Sequence, residues 1–160
     1  MEGTPQEISK KIQDWFVEDR FSIAKGDVAN TDFSWKVISA NIPVHVAKFN
    51  NRNDSVLVFG AISFVGEDKS RLLSHPRIND IFYELKAKYL ETGLDYAFKP
   101  NLQDLNLIEI YQGVHYDGLT KHILMRTFVH VRNMLLWTAE KLSHEVGTTT
   151  KSQDVSSAYK

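Results

Sequence analysis

The residues best equipped for chemistry lie together in the run Tyr116-Asp117-Gly118-Leu119-Thr120-Lys121-His122. They supply a phenol, a carboxylate, an ammonium and an imidazole at a helix start, where free backbone N–H groups attract anions. Tyr116, Asp117, Lys121 and His122 are therefore candidate binding residues. The same run has a structural reading, in which Asp117 caps the helix, Gly118 permits close packing, Leu119 docks and Lys121 is solvated. Arg132 is a fifth candidate, because it falls inside the apolar arc of the helix that follows. In one reading its stem packs while its head reaches the rim or a carboxylate such as Glu109. In the other it forms a buried ion pair at a site or subunit boundary.

Other chemistry finds little support. There are six histidines and no cysteine. His45, His75, His115, His122, His130 and His144 contain neither an i,i+4 helical pair nor an HExxH motif. His115 and His122 can approach across a strand–helix corner with Asp117 between them, but this is not a ligand set, and no metal and no cofactor are expected. Phosphate-binding glycine loops and a GxSxG nucleophile elbow are missing, so no catalytic residue is assigned. A net charge of −1 over 160 residues argues against general nucleic-acid or anionic-membrane binding, which need a dominant positive field. Lys121, Arg126, Arg132 and Lys141 scatter around the helical wheel. The N-terminus lacks an apolar signal core, and no run approaches the roughly 18–20 apolar residues of a membrane span. A cytoplasmic protein is the expectation.

The elements that must position these residues follow from periodicity. A capping box at Thr4-Pro5-Gln6-Glu7 opens a helix to about Glu18, with Ile8, Ile12, Trp15 and Phe16 as its stripe. Residues 21–32 read mostly as loop, although Ser22-Ile23-Ala24 could begin a strand. Strands are expected from Phe33, over Val44 to Phe49, and over Ser55 to Val65. Asn41-Ile42-Pro43 interrupts the first two. The third is apolar on both faces, which marks a central strand. Gly60 within it is a bulge or a close packing point. Residues 66–74 are charged and turn-like, with room for a helical turn around Arg71-Leu72-Leu73. Ile78, Ile81, Phe82, Leu85 and Tyr89 define a second helix ending at Gly93, followed by strands over 94–99 and 107–114. A long helix from Tyr116 to Gly147 closes the sheet with Leu124, Phe128, Val131, Leu135, Leu142 and Val146 inward. Its opposite face carries Ile123, Met134 and Trp137, which read either as the ordinary scatter of exposed apolar residues or as a second stripe marking a candidate interface, a subunit contact or a partner groove. The fold class is thus α+β: a two-layer sandwich with a five-stranded antiparallel sheet and helices on one face, in the order α-β-β-β-α-β-β-α. It forms one domain over 1–147, with a disordered tail over 148–160.

This order resembles the fold of type III secretion chaperones and of YbjN-like domains. More closely, the sequence resembles an uncharacterised archaeal family with a tryptophan-containing first helix. That family has a strand like LIEIY at Leu107 to Tyr111 and a signature like YDGLTKH at Tyr116 to His122. The resemblance implies a fold and no chemistry. Secretion chaperones are homodimers that bind extended protein segments, so the likeness implies a homodimer or a protein or peptide partner. The acidic character usual among those chaperones is missing here. The expected function is a non-enzymatic protein- or peptide-binding module. The rival is a small ligand-binding protein or enzyme using the Tyr116–His122 corner.

Overall fold

Strand Ser55–Ser63 is the centre of the molecule, and its burial dictates what surrounds it. In the computed structural model, which describes residues 3–148, Val56, Val58 and Ile62 point to one face and Leu57, Phe59 and Ala61 to the other, all buried. The elements in chain order are α1 (Pro5–Glu18), β1 (Ser22–Lys25), β2 (Thr31–Ser39), β3 (Ile42–Phe49), β4 (Ser55–Ser63), α2 (Gly66–Ser74), α3 (Ile78–Thr92), β5 (Asp95–Lys99), β6 (Leu107–His115) and α4 (Lys121–Val146). The sheet has six strands in the order β1-β2-β3-β4-β6-β5, and every neighbouring pair is antiparallel.

The α+β class and the antiparallel sheet match the expectation, and two elements correct it. The sheet has six strands rather than five, because residues 22–25 pair with Trp35 to Ile38 as β1. Four residues of mixed polarity carry too little periodicity to announce a strand. Residues 66–74 form the helix α2 throughout, rather than a turn with one helical turn around Arg71-Leu72-Leu73. A single fully buried side chain, Leu72, anchors it, so its apolar pattern is faint. The order is therefore α-β-β-β-β-α-α-β-β-α. Pro43 does not interrupt: it sits inside β3 opposite Ile38. Pairing of β3 with β4 begins only at His45, so the proline lies where a missing donor is tolerated. Asn41 belongs instead to the β2–β3 turn, where Ala40 and Asn41 both take positive φ, 53° and 61°.

Among the described residues all four helices pack on one face of the sheet, sharing a core cluster with Val37, Val44, Val46, Val56, Val58, Ile62, Ile108, Ile110 and Val114. α1 begins at the expected capping box, in which the Glu7 N–H donates to Thr4 Oγ1 at 3.3 Å and the Thr4 N–H donates to Glu7 Oε2 at 2.7 Å. Phe16 and Phe21 meet Phe128 edge-on at 5.2 and 5.1 Å, tying α1 and its exit to α4. The hydroxyls of Tyr89 and Thr138 lie 2.9 Å apart and link α3 to α4 in the buried interior. The expected tail over 148–160 lies outside the described residues apart from Thr148, which is buried.

Among the described residues the sheet's other face carries no helix. Its cover is the β1–β2 connection, which folds back so that Val28 packs with Ala47, Leu57, Phe59 and Ala61 in a second, smaller cluster.

Gly60 is a close packing point. A Cβ there would lie 2.5 Å from Leu135 Cδ1 and 3.2 Å from the Pro43 carbonyl oxygen. Gly60→Ala is expected to destabilise the protein by about 1–3 kcal/mol through overpacking, and Leu135→Ala by about 2–5 kcal/mol through the cavity it leaves. In urea unfolding the double variant should cost less than the sum, because each change relieves the other. Additive costs would mean that α4 does not press on the strand at this point.

Candidate binding site

The structure separates the residues that the sequence grouped. Tyr116–Gly118 form a 3-10 turn rather than the first turn of α4. The helix begins at Lys121, and its cap is Thr120, whose Oγ1 accepts from the Ile123 N–H at 3.2 Å. Asp117 is exposed and is not the N-cap. Two capping residues lie within four positions, and Leu119, which is buried, fixes the choice by holding the chain extended before the helix. The expected C-terminal stop holds: Gly147 is left-handed with φ 69°.

The side chains of the corner diverge. Lys121 Nζ reaches back to α1 and lies 2.9 Å from Glu18 Oε2 and 2.7 Å from Asp19 Oδ1. These partners hold its pKa above the usual lysine value. Tyr116 turns inward, and its backbone N–H donates to the Asp54 carbonyl at 2.8 Å. Burial, reinforced by the charges of Asp32 and Asp54, pushes its phenol up to about 12. His122 is exposed. Arg132 does not meet Glu109. Its Nη1 donates to Ser39 Oγ at 2.9 Å, and its Nε and Nη2 donate to Asn133 Oδ1 at 3.2 and 2.9 Å. The solvated rim is the alternative realised, since both partners are polar and half-buried or exposed.

The outer stripe of α4 is also corrected. Met134 is only 6% exposed and belongs to the core, and Ile123 and Trp137 are half-buried against it. A helix lying across β3, β4 and β6, with α3 joined to it through Tyr89 and Thr138, is covered over more of its circumference than one sheet alone would cover. The wheel by itself does not show this.

A concave, chemically mixed site lies instead on the helix-free face. A hollow of about 230 Å³ is lined by Phe49 of β3, Asn51 and Arg52 of the β3–β4 turn, Leu57 of β4, Ala97 and Lys99 of β5, and Glu109 and Tyr111 of β6. Glu109 is buried and paired with Lys99. The Tyr111 phenol is raised by burial, and further by Asp95 and Glu109, while Arg52 opposes the shift. The sequence held one signal for this site: Glu109 interrupts the otherwise apolar LIEIY strand on the side that faces Leu57. Among the described residues no group of three His, Cys, Asp or Glu side chains is placed to hold a metal ion.

Fold and site together describe an α+β domain with one open sheet face. The family model of an uncharacterised conserved protein, DUF2299, matches residues 8–142, and the chain belongs to that family. The crystal structure of an uncharacterised protein from Methanothermobacter thermautotrophicus superposes with a TM-score of 0.75 at 19% identity, covering 87% of this chain and 99% of that one. YbjN from E. coli, provisionally described as a transcription regulator, superposes with a TM-score of 0.54 at 8% identity, covering 83% and 91%. At such identities the likeness is one of fold, and it supports the expected resemblance to YbjN-like domains. No curated protein matches the chain.

The two capping residues can be told apart. Thr120→Ala should lower stability by about 1 kcal/mol, within roughly 0.5–2. Asp117→Ala should stay within about 0.5 kcal/mol of wild type, as exposed substitutions do. Urea unfolding of both variants checks this, and a reversed order would return the cap to Asp117.

Proposed function

We propose that the protein is a non-enzymatic, cytoplasmic module that binds a protein or peptide segment on the helix-free face of its sheet. One observation carries the reading. The second face joins an apolar floor, Phe49 and Leu57, to a rim of opposite charges, Arg52, Lys99 and Glu109, around a hollow. Such a surface suits an extended segment with apolar and polar side chains in alternation. The Tyr116–His122 corner supports a catalytic reading less well, because Lys121 is held by α1 and Tyr116 turns inward. A nucleic-acid role is also less favoured: Lys121 and Lys141, two of the cations such binding would use, are engaged by Glu18 and Asp19 and by Glu84 and Glu145. The test is fluorescence anisotropy with a panel of dye-labelled heptapeptides of varied composition. Some are expected to bind below about 1 mM, and Ala97→Arg, which fills the hollow, should weaken them about tenfold or more with the melting temperature unchanged. Absence of binding across the panel, or indifference to Ala97→Arg, would overturn the reading.

We further propose a homodimer, with its contact on α3 rather than at Trp137. Tyr83 and Leu90 are 74% and 69% exposed, and their seven-residue spacing places them on one side of that helix. A stable interface buries about 800 Å² per partner, so these two would form its centre only. Light scattering should give twice the mass of the chain for the wild type and the mass of one chain for Tyr83→Glu/Leu90→Glu. A monomeric wild type would remove the dimer.

A further inference from the structure

We propose that the hollow on the helix-free face is a carboxylate site. Its ligand is a monoanion with one compact apolar group, either a free carboxylic acid or the C-terminal residue of a peptide, with the carboxylate on Arg52. The inference rests on the binding reading of the same face and names the chemistry it selects.

Size comes first. At about 230 Å³ the hollow falls below the roughly 300–1,000 Å³ of pockets that enclose cofactors and drug-sized molecules. It accommodates something on the scale of a single amino-acid residue.

Charge narrows the ligand further. The lining holds two cations, Arg52 and Lys99, and one carboxylate, Glu109. Lys99 is committed to Glu109, which is buried and therefore costly to leave unpaired. The Arg52 guanidinium pairs with no carboxylate among the described residues. The lining therefore carries one net positive charge, and that charge is on a guanidinium. A planar, five-donor fork matches a carboxylate with two parallel hydrogen bonds. A phosphate dianion would bring a second negative charge towards Glu109, with no second uncommitted cation to balance it.

Position supports the same assignment. Arg52 Nη1 lies 3.9 Å from where a Cβ on Gly113 would sit, so the guanidinium rests along bare β6 backbone. It is close enough to Tyr111 to act on its ionisation. The Tyr111 hydroxyl, which burial pushes further above the ordinary phenol value, offers a second donor in the same lining. Phe49 and Leu57 form the apolar wall against which one side chain or short alkyl group can lie. Phe49 is backed by Phe59, with ring centroids 5.9 Å apart.

The experiment is isothermal titration of the full chain with four probes: the peptide acetyl-Ala-Ala-Leu as free acid, the same peptide as its amide, 4-methylpentanoate, and inorganic phosphate. The expected result is that the free-acid peptide binds at least about tenfold more tightly than the amide. Arg52→Gln should abolish that preference and Arg52→Lys restore part of it. Arg52 is exposed, so both variants should fold, and unchanged melting curves would confirm it. Binding of 4-methylpentanoate as tight as that of the acid peptide, and dependent on Arg52, identifies a free acid as the source. If 4-methylpentanoate binds and the peptides do not, the carboxylate site stands and the peptide reading of this face falls. Equal binding of acid and amide, still lost in Ala97→Arg, keeps the peptide reading and overturns the carboxylate site. The site is also overturned if phosphate competes as well as carboxylates, if Arg52→Gln changes nothing, or if none of the probes binds.

Discussion

Strand β4 is apolar on both faces, and a strand of that kind has to be covered twice. Burying each large apolar side chain is worth roughly 1.5–3 kcal/mol before entropy, and the central strand contributes such side chains to both faces: Val56, Val58 and Ile62 to one, Leu57 and Phe59 to the other. On one face the cover is α4, let in close by the missing Cβ of Gly60. Among the described residues the other face has no helix. There the cover is assembled from Val28, the ring of Phe49 and the flanking strands. The first cover is tight where α4 meets Gly60. The second is improvised from a loop and side chains, and its imperfection is the hollow. Core and candidate site are thus two consequences of one strand.

The parts of this architecture legible in the sequence were those with strong periodicity and local chemistry. The capping box of α1, the inward arc of α4, Gly147 and the two-faced pattern of β4 all emerge from short-range rules. What escaped depends on tertiary context. β1 is four residues long and becomes a strand only because β2 is beside it. The start of α4 was ambiguous between Asp117 and Thr120, since both residue types cap well and the burial of Leu119 decides. Met134 looked outward on an isolated wheel, but α4 is packed on more than one side. The hollow draws on β3, β4, β5, β6 and a turn, and no spacing rule reaches across that many elements. Only the lone charge of Glu109 in LIEIY hinted that something polar was built on that side.

Membership of an uncharacterised family and likeness to structures at 19% and 8% identity give this chain a scaffold without a role. A shared fold constrains which surfaces are open, whereas function depends on the side chains placed on them. Here the open surface differs from the one the signature residues suggested. Tyr116, Lys121 and Leu119 build the joint between strand, turn and helix, and residues with that duty are poorly free to meet a ligand.

The joint at Lys121 has a consequence for how the molecule comes apart. Glu18 and Asp19 stand at the C-terminal end of α1, and Lys121 stands at the N-terminal end of α4. Each charge has the wrong sign for its own helix dipole, so each end on its own tends to fray. Brought within 2.9 Å of one another, the two carboxylates and the one ammonium offset each other in part. Two weak ends become one clasp that exists only while both helices are docked. The last turn of α1 and the first turn of α4 should therefore open as a single cooperative unit, although about a hundred residues of chain separate them.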